Sequence, residues 1–191
     1  MKVVAFNGSP HKQGNTYDCL QIVLHVLKDE GINTELVQLA PLKIQPCMAC
    51  FKCAKKPDGE CHGVKDGLNE AVAKMFEADG ILIGSPTWFS NVTGHVKNLI
   101  DRSGIVALRN NRALSRKVGA AVVAVRRAGA VPVFDAINRF FFINGMIVPG
   151  STYWNLAIGR EPGECLNDQE GVETLTNLGR NIAWLMKKIK G

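Results

Sequence analysis

No stretch of the 191-residue chain is apolar for long enough to cross a bilayer as a helix, and no basic segment precedes an apolar signal core. A cytoplasmic location is therefore expected. The net charge of +6 comes from scattered lysines and arginines, with no long basic run and no nucleic-acid-binding motif. Neither nucleic acid nor a membrane is an expected partner. Two nucleotide-loop signatures are also missing. There is no GxGxxG, and the stretch from Gly8 to Gly14 lacks the Lys-Ser or Lys-Thr ending of a nucleoside-triphosphate loop. The four histidines, His11, His25, His62 and His95, show no spacing that would bring two of them to one metal; His62 beside Cys61 reads as a surface residue, with a substitute ligand for the cysteine loop as the alternative. No repeat, low-complexity segment or linker divides the chain, so residues 1–191 read as a single domain with a sizeable core.

What is present is organised around residues 2–16, KVVAFNGSPHKQGNT. Lys2 to Phe6 read as a buried-type strand, broken at Asn7-Gly8. A helix begins near Thr16, with Leu20, Val23, Leu24 and Leu27 on one face. A strand feeding a helix through Gly, Ser, Asn and Thr is a phosphate cradle: the helix start offers free N–H groups and a partial positive charge, and hydroxyls add donors. Ser9, Lys12, Gln13, Gly14, Asn15 and Thr16 are the candidate residues. Neutral donors without the magnesium-supporting Lys-Ser pair suit a phosphomonoester that is held rather than cleaved.

Along the chain, Gly31 stops the first helix and residues 33–39 read as a partly polar strand suited to a sheet edge. Residues 40–66 form a connection far longer than usual, with Pro41, Pro46 and Pro57 opposing regular structure. A helix follows over 67–79, a continuously apolar strand over 80–84, and a loop, SPTWFSNVTG, over 85–94. Val96, Leu99 and Ile100 mark the next helix, and Val118 to Val125 a second central strand. A helix over 129–142 carries Pro132 in its first turn. The last strand is expected to start at Met146-Ile147-Val148, and the C-terminal helix is expected to be capped by Asn167 with Glu170 three residues on. This alternation predicts an α/β fold, a parallel sheet with helices on both faces and a ligand crevice at the carboxyl ends of the strands. Residues 8–16, 85–94 and 125–130 should surround it.

The loop after the third strand offers backbone N–H groups for a heteroaromatic edge, and Trp88 and Phe89 could cover its apolar body. Arg126 or Arg127, in Val125-Arg126-Arg127-Ala128-Gly129, could stabilise negative charge there. The six cysteines are the compositional oddity, and in a reducing compartment they favour metal or redox roles. Cys47, Cys50, Cys53 and Cys61 form C-x2-C-x2-C-x7-C, close steps that wrap a small inorganic object. A structural zinc ion, or free thiols with no metal, remain alternatives, although zinc sites more often use two separated pairs. Cys19 reads as a small buried hydrophobe and Cys165 as an ordinary, remote thiol. Lys43, Lys52, Lys55 and Lys56 ring the loop and would offset thiolate charge or steer an acidic partner.

GSP-x-x-x-GNT after an N-terminal strand resembles the flavodoxin-like NAD(P)H-dependent FMN reductases, and the cysteine spacing resembles the iron–sulfur flavoproteins among them. The likeness runs from residue 1 to about 150. It implies a doubly wound five-stranded parallel sheet in the order 2-1-3-4-5, with the cysteine loop inserted at about 40–66. It implies FMN as cofactor, with Pro86, Thr87, Trp88, Phe89, Ser90 and Asn91 against the ribityl chain and ring, and Arg126, Arg127, Ala128 and Gly129 bordering the pyrimidine edge. The same resemblance implies a four-iron four-sulfur cluster on the four cysteines. It further implies a homodimer or homotetramer in which the cluster of one subunit lies near the flavin of another. The expected function is an oxidoreductase that moves electrons between ferredoxin or NAD(P)H and an acceptor. The chemistry would be carried by the cofactors, with no protein acid, base or nucleophile. A cluster-free FMN or quinone reductase and a non-enzymatic redox or iron sensor are the alternatives.

Overall fold

The computed structural model describes residues 1–190. Two strands with no polar face, β3 (Gly80–Pro86) and β4 (Val118–Val125), form the centre of a parallel sheet. Their near-continuous burial requires a helical layer on each side. β1 (Lys2–Asn7) flanks β3, and the half-polar β2 (Asn33–Gln38) forms one edge. The short β5 (Leu156–Ile158) forms the other, giving the order β2-β1-β3-β4-β5. The sheet is thus the five-stranded 2-1-3-4-5 arrangement expected.

The apolar stripe of α1 (Asn15–Asp29) packs with α6 (Gln169–Lys190) on one face of the sheet. The opposite face is covered by α3 (Leu68–Glu77), α4 (Gly94–Arg109) and α5 (Ala130–Ile143). Residues 43–67 run along the outside of α3 and α4, with only a one-turn helix, α2 (Lys52–Lys55). No helix among the described residues is long and apolar enough to cross a membrane.

Two local expectations are corrected. The last strand does not begin at Met146. Ile147 makes a single parallel bridge to Val118, and the ladder then stops. Pro149 has no N–H to continue it, and the chain makes an excursion before Leu156 rejoins β4 opposite Val123. The cap of α6 is Asp168, one residue later than Asn167; its Oδ1 accepts from the Gly171 N–H at 3.1 Å. The capping-box partner Glu170 is therefore out of register, and Asn167 ends a short 3₁₀ turn. Cys165 is fully buried, in the same apolar cluster as Cys19.

Candidate functional site

Asn7, fully buried at the end of β1, shapes the first turn of the loop. Its Oδ1 accepts from the Ser9 N–H at 3.0 Å and its Nδ2 donates to Gln38 Oε1 at 2.8 Å. Gln38 Nε2 in turn donates to the Ser9 carbonyl at 2.6 Å. Gly8 has no space for a side chain: a Cβ would stand 2.1 Å from Val96 Cγ2 and 2.7 Å from the Gly84 carbonyl. The Thr93 hydroxyl donates to the Gly8 carbonyl at 2.8 Å and accepts from the Val96 N–H at 3.3 Å, so one side chain caps α4 and ties it to the β1 loop.

Gly14 is the N-cap of α1, at φ 152° and ψ −178°, a conformation open essentially to glycine alone. Its carbonyl accepts from the Asp18 N–H at 3.0 Å, and no side chain caps the helix. The first N–H groups of α1 therefore face outward with the positive end of the helix dipole, as an anion site requires. Ser9, Gln13, Gly14, Asn15 and Thr16 line a crevice of about 350 Å³ there. Lys12 is exposed and lies off its wall. Asn15 has a second task. Its Nδ2 donates to the Glu161 carbonyl at 3.0 Å and its Oδ1 accepts from the Cys165 N–H at 3.2 Å, clamping the segment after β5 onto the start of α1.

Pro86, Thr87, Trp88 and Arg126 complete the crevice as expected from their loops, together with Ala124 and Val125. The Thr87 N–H donates to the Ala124 carbonyl at 2.9 Å, which joins the two loops at their base. Phe89, Ser90 and Asn91 stand off the wall. The N–H and carbonyl groups of Trp88 and Asn91 bond reciprocally at 3.0 and 2.9 Å. Phe89 and Ser90 occupy the left-handed region between them, as in a tight type I′ turn, and Phe89 is fully exposed at the tip. Arg127 and Ala128 are exposed beyond the wall, and Gly129, at φ 87°, caps α5 where a Cβ would meet Ser90 Oγ at 2.5 Å.

His11, within the expected stretch 8–16, also lines the crevice, and so do Gly159, Arg160 and Pro162, which lie outside the expected stretches. The last three follow β5. The rule that ligands gather at strand ends would have identified them, had the final strand been placed at 156–158.

The cysteine loop builds a second cavity, of about 320 Å³, lined by Cys47, Cys50, Cys53 and Cys61 together with Gly63 and Arg102. Ala49 and Phe51 both take left-handed backbone, which winds the chain around it. Cys47 and Cys50 are exposed, Cys61 is partly buried, and Cys53 is buried, which pushes its thiol up. A Cβ on Gly63 would stand 2.9 Å from Cys50 Sγ and 3.8 Å from Cys61 Sγ. Asn69 brackets Cys61 by accepting from its N–H at 2.8 Å and donating to its carbonyl at 3.3 Å.

Arg102, 1% exposed, donates from Nη2 to Cys61 Sγ at 3.3 Å. Burial alone would push the Cys61 thiol up. The Arg102 hydrogen bond, the N–H groups of Gly63 and Val64 and the guanidinium charge together bring it below its ordinary value. Among the described residues, the only three Cys, His, Asp or Glu ligand atoms within 4.8 Å of one another belong to Asp58, Glu60 and His62. No three of the cysteine sulfurs are that close. His62 is occupied by Asp58, at 2.9 Å.

A 2-1-3-4-5 sheet with an uncapped helix start at its carboxyl edge defines a flavodoxin-like protein built to hold an anionic cofactor. Residues 1–161 match the family model described as NADPH-dependent FMN reductase. The chain is 40% identical to an iron–sulfur flavoprotein of Methanocaldococcus jannaschii over 100% of both chains. It is 31% identical to the iron–sulfur flavoprotein of Methanosarcina thermophila, over 100% of this chain and 97% of that one. Among solved structures, RosB with a bound formylated riboflavin-phosphate intermediate superposes with a TM-score of 0.79 at 18% identity, covering 100% of this chain and 80% of that one. The chain belongs to the NADPH-dependent FMN reductase family, among its iron–sulfur flavoproteins, and is an FMN-binding oxidoreductase.

Proposed function

We propose that the protein is a two-centre electron carrier, with FMN in the crevice at the strand ends and a four-iron four-sulfur cluster on Cys47, Cys50, Cys53 and Cys61. Bound FMN would supply a carrier of one or two electrons and the cluster a carrier of one, which together can split or gather an electron pair. The observation that carries this reading is the cysteine cavity: four thiols from one loop face a single space beside a buried arginine, and only a glycine fits between two of them. The donor set suits the group. The Arg102 guanidinium donates to Cys61 Sγ at 3.3 Å, as donors do to thiolate ligands.

The spacing of the cysteines along the chain favours a cluster over zinc, since zinc sites more often use two separated pairs.

In the crevice, the free N–H groups of α1 and the Thr16 and Ser9 hydroxyls would hold the phosphate. Pro86, Thr87 and Trp88 would position the ring, and Arg126 would set the charge beside it. Exposed Lys43, Lys52, Lys55 and Lys56 would steer a small acidic carrier such as ferredoxin, with NAD(P)H as the other donor class. Exposed Phe89, and Met48 and Phe51 on the cysteine loop, suit the pairing of copies in a homodimer or homotetramer that brings one chain's cluster to another's flavin.

The test is the visible spectrum of anaerobically purified protein, with iron, sulfide, zinc and flavin assays. FMN with iron and sulfide in equal amounts is expected. Yellow, iron-free protein that oxidises NAD(P)H rapidly would instead establish a plain reductase. Stoichiometric zinc would overturn the cluster.

A further inference from the structure

Arg102 is the largest fully buried side chain in the molecule, and it projects from α4 beneath the cysteine loop. Its guanidinium joins both ends of that loop. Nη1 donates to the Gln45 carbonyl at 3.1 Å and to Asp66 Oδ2, while Nη2 donates to the Val64 carbonyl and to Cys61 Sγ, each at 3.3 Å. Asp66 Oδ2 also accepts from the Gln45 N–H at 2.8 Å, which closes the ring between entrance and exit.

A buried guanidinium is retained only where its charge and hydrogen bonds are met. Asp66 and the two carbonyls answer the charge and three of the bonds. They do not explain why one arm of the fork is directed at a sulfur, a weak acceptor as a neutral thiol, or why Arg102 Nε lies buried with no partner. A metal-bound thiolate is a far better acceptor, because the bond is then charge-assisted.

We infer that Arg102 is a positioning residue for the cysteine site: it fixes Cys61 and donates to its sulfur, so that the cluster proposed above accepts an electron more readily. The inference rests on that reading. Each electron that enters a thiolate-ligated cluster adds one negative charge, spread partly onto the sulfurs. A fixed N–H donor at 3.3 Å with a positive charge behind it therefore favours the reduced form.

The experiment compares wild-type chain with Arg102→Lys and with the double variant Arg102→Gln, Asp66→Asn, all reconstituted anaerobically with iron and sulfide. Lysine keeps the charge and loses the fork. The double variant removes the buried pair as a unit and leaves no carboxylate stranded. The cluster potential is read by redox titration of its electron-paramagnetic-resonance signal. Flavin affinity and the urea midpoint are measured on the same samples.

In the double variant the ratio of reduced to oxidised cluster at a fixed potential should fall at least tenfold, about 59 mV for a one-electron couple. Arg102→Lys should move part of the way, with FMN affinity unchanged in both. Loss of iron from folded, FMN-binding variants would also support the positioning role. Full iron content with the wild-type potential in both variants would overturn the inference while leaving the cluster in place. Wild-type protein that binds FMN but no iron would remove the cluster reading itself.

Discussion

Replacing Thr16 by valine isolates the phosphate contact from everything else in the crevice. Thr16 is 3% exposed, stands second in α1 and lines the cavity beside Gly14. Its Cγ2 lies against β3, 3.1 Å from where a Cβ on Gly84 would sit. Valine keeps that methyl and the side-chain shape, so the change is one hydroxyl for one methyl. A hydrogen bond to a charged acceptor contributes about 1.5–3 kcal/mol. At about 1.4 kcal/mol per tenfold, FMN should bind between roughly ten- and a hundredfold more weakly. Riboflavin has no phosphate to lose, so its affinity should stay within about twofold of wild type on the same reasoning. Titration of both flavins into apoprotein, followed by fluorescence quenching with a urea midpoint as control, reads the difference directly. Equal weakening of the two ligands, or unchanged FMN affinity in a folded variant, would refute the assignment of this helix start to phosphate.

Gly8→Ala should destabilise the fold by about 3 kcal/mol in urea denaturation, because a Cβ 2.7 Å from the Gly84 carbonyl forces backbone to move. Gly94→Ala, with nothing within 4 Å of the added carbon, is the matched control and should change stability by less than about 1 kcal/mol. For Asp66, burial raises the carboxyl, but the Arg102 hydrogen bond, the N–H groups of Gln45 and Leu68 and the guanidinium charge hold it below its ordinary value of 3.8. Between the folded and unfolded values the unfolded chain binds more protons. The stabilisation from this pair is thus complete above the unfolded carboxylate value and lost as pH falls through the folded one. Wild-type stability measured across acid pH should show this decline, and the Arg102→Gln, Asp66→Asn variant should lack that component.

The central strands and the α1 stripe were legible because burial leaves a trace: β3 is apolar from Gly80 to Gly84, β4 is apolar throughout, and α1 repeats at helical spacing. The start of α1 was legible to within a residue, from the break at Gly14 and the apolar stripe that follows Thr16. β5 was not. Three residues of strand interrupted by an excursion after Pro149 carry too short a pattern, and Met146 to Val148 is the more apolar decoy. That one misplacement hid Gly159, Arg160 and Pro162. Arg102 was hidden for a different reason: on a helix, a lone arginine reads as solvated, and only the fold shows it buried beneath Cys61.

The grip of Asn15 on Glu161 and Cys165 has a bearing on how the molecule is made. Residues made early are fastened to residues made much later, across a sequence separation of 150 for the Cys165 bond. A nascent chain that stops short of Gly159 has three sides of the crevice and lacks the fourth, so the pocket closes only once the segment after β5 has been added.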